Sequence, residues 1–218
     1  MEQAQKTSQE IIASTGNPNI TAMRVDLSSM AEVKRFVREY TERFQSLDVL
    51  INNAADFDLS RKAPNITSEG IEAQFATNLL APFALVQGLL PLLLQSDDGR
   101  IINISTQGLT LYPKLVFDFE GVKGHRSYSP AKTYYQTKLG LLMFSLQLRE
   151  RLAGSRVSVH CIRVTNVKVD ITRYANISPV MKWMYGLKSK FSISPDDMAR
   201  VCTELAVGEK RPGFYYDE

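Results

Sequence analysis

Short apolar runs alternate with longer amphipathic segments along the 218-residue chain, and this alternation constrains the fold more than any other feature. Three of the runs are predicted to be buried strands, at residues 48–54 (DVLINNA), 100–106 (RIINIST) and 157–164 (VSVHCIRV). Strands that alternate with helices indicate βαβ units and a parallel sheet with helices on both faces. No linker or repeat divides the chain, so residues 1–218 are predicted to form one domain.

The segments before and between these strands carry helix signals. The predicted helices span residues 2–14, 30–44, 68–94 and 129–152. Ser29, Ser68 and Ser129 open the last three, because serine side chains cap helix N-termini. Pro82 is expected to bend the long third helix, since proline cannot donate a backbone hydrogen bond. Residues 19–27 (NITAMRVDL) include β-branched side chains and are predicted to form a further strand.

Composition excludes several classes of function. The 26 basic and 23 acidic residues are spread evenly and leave a net charge of +3, which gives no sign of a nucleic-acid partner. Cys161 and Cys202 form no CxxC pair, so we expect no metal site and two free thiols in a reducing, cytoplasmic compartment. The most apolar stretch, residues 79–94, is short and interrupted by Pro82 and Pro91, so no membrane partner is expected.

Tyr134 and Lys138 stand four residues apart in the last predicted helix and therefore share one helix face. A tyrosine hydroxyl has a pKa near ~10 and is a poor base at neutral pH. A nearby ammonium group stabilises the phenolate and lowers that pKa. The pair can then exchange a proton with an alcohol or a carbonyl while a nicotinamide exchanges a hydride. By itself the spacing is common in helices, and a solvated lysine beside a half-buried tyrosine is the alternative.

Several motifs occur together around this pair. They are VDL at residues 25–27, DVLINNAA, FATNLLAPFALVQGLLP, RIINIST and YYQTKLGLLMFSLQLRERL, in this order. With them the chain resembles the short-chain dehydrogenase/reductase family over roughly residues 10–218, and the long insert before Tyr134 looks most like the retinol-dehydrogenase-like branch. The resemblance implies an α/β fold, a Rossmann-like doubly wound parallel sheet lacking its first two strands.

The resemblance also implies an activity, which is hydride transfer between NAD(P) and a small-molecule alcohol or carbonyl, with NADP preferred over NAD. Tyr134 would be the acid and base, and Lys138 would lower the pKa of Tyr134 and bind the nicotinamide ribose. Thr106 would polarise the substrate and Asn78 would help to hold a water molecule. Ser105 is the rival of Thr106, because adjacent strand residues point to opposite faces. The family pairs its two long helices between subunits, which implies a homodimer.

The cofactor-binding residues implied by the family are Asp26 and Leu27 at the adenine, Asn53 and Ala54 along the cofactor strand, Val167 through its backbone, and the Tyr134–Lys138 pair itself. Two of these places depart from the family pattern. The strand motif reads NNAA instead of NNAG, and residues 164–167 (VTNV) stand where the family has a Pro-Gly turn.

The larger departure is the glycine-rich turn TGxxxGxG, which none of the 12 glycines forms. This turn holds the cofactor's pyrophosphate, so we expect the 218-residue chain to bind NAD(P) poorly. Three interpretations stay open: an oxidoreductase whose sequence is incomplete, a catalytically inactive truncated remnant that binds a partner through its helices, and a scaffold. Residues 180–191 are predicted to form a helix that is a lid over an apolar ligand, a peripheral structural helix or a shallow membrane contact.

Overall fold

The computed structural model of the protein describes residues 2–58, 60–124, 128–165, 167, 192–209 and 213–217. Its sheet contains four parallel strands in chain order. They are β1 (Val49–Asn52), β2 (Arg100–Thr106), β3 (Ser158–Val164) and β4 (Tyr215–Asp217). Three of the four strands predicted from the sequence, at residues 48–54, 100–106 and 157–164, are confirmed as β1, β2 and β3. Strand β4 was not predicted, because three residues are too few to show an apolar periodicity.

Two short 3-10 helices, Gln107–Leu111 and Gly121–Lys123, lie in the long loop after β2, and five longer helices accompany the strands in the described residues. They are α1 (Glu2–Thr15), α2 (Met30–Arg43), α3 (Ala73–Gln95), α4 (Pro130–Arg151) and α5 (Pro195–Val207). Ser29 and Ser129 cap α2 and α4 as predicted. Ser68 does not open α3, because the side chain of Glu72 accepts hydrogen bonds from the first backbone amides of that helix instead. Helix α5 was missed, although a capping box between Ser194 and Asp197 marks its start.

The helices cover both faces of the sheet. On one face, Ile101 and Cys161 pack against Leu93 of α3 and Leu148 of α4. Helix α2 extends this layer by packing on α3. On the other face, residues of β2 and β3 pack against Leu205 of α5. The doubly wound arrangement is therefore confirmed, and the carboxyl ends of all four strands lie at one edge of the molecule.

The predicted strand at residues 19–27 is wrong, since residues 16–26 form no regular secondary structure. Val25 and Leu27 nevertheless pack beside Leu50 of β1. A cavity of about 180 Å³ is lined by these side chains on one side and by β1 on the other. A strand forms only where a partner backbone lies about 4.8 Å away, and here the cavity occupies that position.

Helix α3 changes pitch just before Pro82, where a bend was predicted. Residues Ala76–Leu80 form one π-helical turn, in which the amide of Ala81 donates to the carbonyl of Ala76. A proline ring crowds the carbonyl four residues earlier, which here belongs to Asn78, and a wider turn relieves this crowding. The helix continues through Pro82 and Pro91 to Gln95, close to the predicted end at residue 94. Among the described helices it alone is long and apolar enough to cross a membrane, while one side of it is buried in the core.

Candidate active site

The predicted catalytic pair lies where α4 crosses the carboxyl end of β2. Lys138 is only 2% exposed, and its Nζ donates a 2.7 Å hydrogen bond to the carbonyl of Ile104. The same Nζ lies 5.7 Å from the centre of the Tyr134 ring. Helix α4 therefore brings the two side chains together, with the ammonium group directed at the backbone of the strand.

Burial shifts the pKa values of both members of the pair. Burial raises the pKa of Tyr134, and the neighbouring Tyr135 raises it further. Burial also lowers the pKa of Lys138 to about 8, against an opposing effect of Cys161. Desolvation of the phenol dominates the pKa of Tyr134 in this arrangement, and the lowering of that pKa by Lys138 stays a prediction.

Hydrogen bonds join a series of buried polar side chains from β1 through β2 to α4, the helix that carries Lys138. Asn52 Nδ2 donates to Asn103 Oδ1 over 2.7 Å, and Asn103 Nδ2 donates to Ser145 Oγ over 2.8 Å. Ser145 in turn donates to the carbonyl of Leu141, one turn after Lys138 on α4. These bonds join β1, β2 and α4 and fix the helix that carries the catalytic pair. For Asn52 this structural role is the one that the sequence favoured.

Asn78 lies in the π-helical turn of α3, and all its polar atoms have protein partners. Its Oδ1 accepts from the amide of Asp56 over 2.6 Å, and its Nδ2 donates to the carbonyl of Asp56 over 2.9 Å. The same Nδ2 lies 3.2 Å from the hydroxyl of Thr137, which donates to the carbonyl of Tyr134. Asn78 therefore connects the loop after β1 to the turn of α4 that bears Tyr134.

Thr106 and Ser105 lie on opposite faces of β2. Thr106 is in register with Val164, which packs on the α5 face, whereas Ser105 shares its face with Asn103 and therefore with α4. Strand alternation thus favours Ser105 for the side of Tyr134. Accessibility favours Thr106, because Ser105 is 2% exposed and its Oγ is enclosed, while Thr106 is half-buried at the end of the strand. The Thr106 hydroxyl accepts from the amide of Gly108.

We keep Thr106 as the prediction, because a group that polarises a substrate must be reachable. Thr106→Val removes the hydroxyl at constant shape and is expected to lower turnover by about 10²–10³-fold, as the loss of one donor to a developing oxyanion does. Thr106→Ser is the control that restores the hydroxyl. Steady-state turnover of an aldehyde measures both variants. If Ser105→Ala shows the loss and Thr106→Val does not, the roles of the two residues are reversed.

Three of the predicted cofactor-binding residues line the cavity beside β1. They are Leu27, Asn53 and Ala54. Asp26 comes just before Leu27 in the chain and is not part of the cavity lining. Hydrogen bonds from Ser28 lower the pKa of the Asp26 carboxyl group. Val167 lies apart from the cavity lining and forms a parallel bridge with Ile193. The structure therefore gathers Leu27 of the implied adenine end and both implied residues of the cofactor strand around one cavity.

Phe57 is a residue at this site that the sequence did not reveal. Its ring centre lies 4.2 Å from that of Tyr134, and the side chain is 39% exposed. The ring contacts continue from Tyr134 to Tyr135 and from Tyr135 to Tyr112. Phe57 follows no motif, so only its position after the NNAA strand could have suggested a role.

Comparisons with known proteins show which family the chain is similar to. The family model for short chain dehydrogenase matches residues 1–117. Mouse retinol dehydrogenase 13 is 31% identical over 225 residues, and mouse retinol dehydrogenase 11 is 28% identical over 209 residues. The matches cover 100% and 96% of this chain, but the chain spans only 65% and 63% of the length of these two relatives.

Solved structures show the same fold. A metagenomic short-chain oxidoreductase in complex with NADP superposes with a TM-score of 0.66 and 22% identity, covering 100% of this chain and 79% of that one. A putative 3-oxoacyl-reductase from Bacillus thuringiensis superposes with a TM-score of 0.70 and 18% identity, covering 100% and 82%. These likenesses confirm the Rossmann-type architecture.

Proposed function

The chain belongs to the short-chain dehydrogenase family, and on that premise we propose that it is an NAD(P)-dependent oxidoreductase that interconverts an alcohol and a carbonyl compound. The observation that carries the proposal is the position of Tyr134 and Lys138 on α4, at the carboxyl end of a parallel sheet, where ligands of such sheets bind. The retinol dehydrogenases among the relatives support an apolar primary alcohol and its aldehyde as the substrate class.

The described residues fit part of a dinucleotide. The cavity lined by Leu27, Asn53 and Ala54 has a volume of about 180 Å³ and a mostly apolar wall, which suits a flat base and its ribose. Lys138 supplies a buried cation for the ribose at the other end. A bound nicotinamide would supply or accept the hydride. NADP is the form that we favour, and the NADP complex of the metagenomic relative supports this choice.

Residues of the chain itself donate the proton and balance the charge that its transfer leaves. Tyr134 holds its phenolic proton through the neutral pH range, because burial raises its pKa, and it is therefore ready to protonate a reduced carbonyl oxygen. Lys138, charged below about pH 8, compensates the phenolate that this transfer leaves behind. Asn78 and Thr137 hold the turn that carries Tyr134.

The direct test is turnover by the 218-residue chain. Purified protein is mixed with millimolar NADPH and an aldehyde such as hexanal, and the loss of NADPH absorbance is followed. Aldehyde-dependent oxidation of NADPH is the expected result. An absence of turnover at saturating cofactor would contradict the proposal and support the catalytically inactive alternative.

A homodimer is the second part of the proposal. Phe83 of α3 and Phe144 of α4 are in edge contact at 5.2 Å, so the two long helices lie side by side. Their outer face leaves apolar side chains 44–51% exposed, namely Phe83, Leu94, Met143 and Leu146. Exposed apolar side chains on a pair of helices are typical of a surface that pairs with another copy.

Sedimentation velocity tests this pairing. The unmodified chain is expected to sediment as a dimer, and Met143→Glu is expected to shift it to the monomer, because a carboxylate would be buried in an apolar interface. Leu111→Glu changes an equally apolar residue that is 75% exposed on the insert, and it should leave the dimer intact. A monomeric unmodified chain would contradict the pairing.

A further inference from the structure

Phe57 stands on the loop that follows β1, at the same edge of the sheet as Tyr134. The two ring centres are 4.2 Å apart, with an angle of 44° between the planes, so the rings are in direct contact. Nothing fits between rings at this distance. The Phe57 ring thus covers one side of the Tyr134 ring, and Phe57 itself is 39% exposed.

The loop that carries Phe57 is held in place by its neighbour Asp56. The backbone of Asp56 makes two hydrogen bonds with the side chain of Asn78. Its carboxylate accepts two more from Arg61, over 2.6 and 3.0 Å. This bidentate pair is partly buried, which strengthens it relative to a solvent-exposed ion pair. The backbone just before Phe57 is consequently held in place, and the ring of Phe57 packs on Tyr134.

We propose that Phe57 is a specificity-determining residue, whose ring closes one side of the space around the Tyr134 hydroxyl and excludes carbonyl compounds that are branched next to the carbonyl carbon. Unbranched aldehydes expose the carbonyl at the end of a thin chain and pass the ring. A branched carbon beside the carbonyl collides with it. The inference rests on the proposed function and names the shape of substrate that the same site accepts.

The experiment compares two aldehydes in Phe57→Ala and in the unmodified chain, at millimolar NADPH. Hexanal is unbranched and 2,2-dimethylpropanal is fully branched at the neighbouring carbon. In Phe57→Ala the ratio of kcat/KM for the branched aldehyde to that for hexanal is expected to rise by about 10-fold or more, since one or two methyl groups in a pocket change specificity by about 10–200-fold. Phe57→Leu, which keeps most of the bulk, should give a smaller rise.

Phe119→Ala is the matched control, because Phe119 is a phenylalanine that is 76% exposed on the insert. It should leave the ratio unchanged. An unchanged ratio in Phe57→Ala, with hexanal turnover intact, overturns the role of Phe57 and leaves the proposed function standing. A failure of the unmodified chain to reduce any aldehyde overturns the proposed function and this inference with it.

A second measurement reports on the contact without any turnover. Tyrosine labelled with ¹³C at the ring carbon that bears the hydroxyl shows each phenol's titration by NMR, and Tyr134→Phe assigns the signal. Because burial raises the pKa of Tyr134, Phe57→Ala is expected to lower that pKa towards its ordinary value by admitting water, whereas Phe119→Ala is not. An unchanged titration in Phe57→Ala shows that the ring does not cover Tyr134 and overturns the inference.

Discussion

Replacing Tyr134 by phenylalanine is expected to lower the turnover of an aldehyde by about 10²–10⁴-fold, the usual contribution of a positioned proton donor. The variant keeps the ring that packs on Phe57 and loses only the hydroxyl. Cofactor affinity should change little, because Lys138 and the cavity beside β1 are untouched. Steady-state kinetics at millimolar NADPH measure the first quantity, and calorimetric titration measures the second.

Tyr135→Phe is the matched control, since Tyr135 is the next residue on α4 and packs on Tyr112 instead. It should keep nearly full turnover. Equal losses in the two variants would show that the hydroxyl of Tyr134 has no special role, and a full rate in Tyr134→Phe would remove it from the mechanism.

The pH dependence of the unmodified chain follows from the same pair. The pKa of Lys138 is about 8, so carbonyl reduction is expected to fall as the pH rises through that value and the ammonium charge is lost. The unfolded chain keeps this lysine protonated up to its ordinary pKa of 10.5, so Lys138 contributes stability that increases between about pH 8 and 10. If the rate of carbonyl reduction falls above about pH 8 while the protein stays folded, the fall reports the titration of Lys138.

The second large effect concerns cofactor affinity. The 218-residue chain is expected to bind NADPH with a dissociation constant well above micromolar, because the glycine-rich turn that would donate amides to the pyrophosphate is not in its sequence. Each lost hydrogen bond to a charged group costs about 1.5–3 kcal/mol. Two of them weaken binding by roughly 10²–10⁴-fold.

The structure adds a reason why α2 does not replace that turn. The helix begins next to the cavity beside β1, but the carboxylate of Glu69 already accepts hydrogen bonds from the amides of Met30 and Ala31, over 2.8 and 2.9 Å. A phosphate would have to displace this carboxylate. The anion-binding end of α2 is thus occupied by the protein itself.

Calorimetry with adenosine and ADP tests this expectation with a matched pair of ligands. Both share the base and ribose, and only ADP carries the pyrophosphate. ADP is expected to bind no more tightly than adenosine. Micromolar binding of NADPH, or a strong preference for ADP, would refute the argument and reveal a substitute anion site.

The periodicity of apolar residues predicted three of the four described strands and most of the helices because it reports burial, which local sequence encodes directly. Two predictions failed for one reason. The 19–27 segment has the composition of a strand but finds a cavity where its partner backbone would be. Ser68 has the chemistry of a helix cap, yet Glu72 is better placed. Pairing and capping depend on what lies nearby in space.

The sequence by itself determined the doubly wound architecture and the Tyr134–Lys138 spacing, because helix and strand periods follow from backbone geometry. Only the tertiary structure decided what surrounds that pair. It directs Lys138 at the carbonyl of Ile104, places Phe57 on the ring of Tyr134, and encloses Ser105 while it leaves Thr106 half-buried. Contacts between distant residues and the burial that shifts a pKa arise when elements pack, and no local pattern records them.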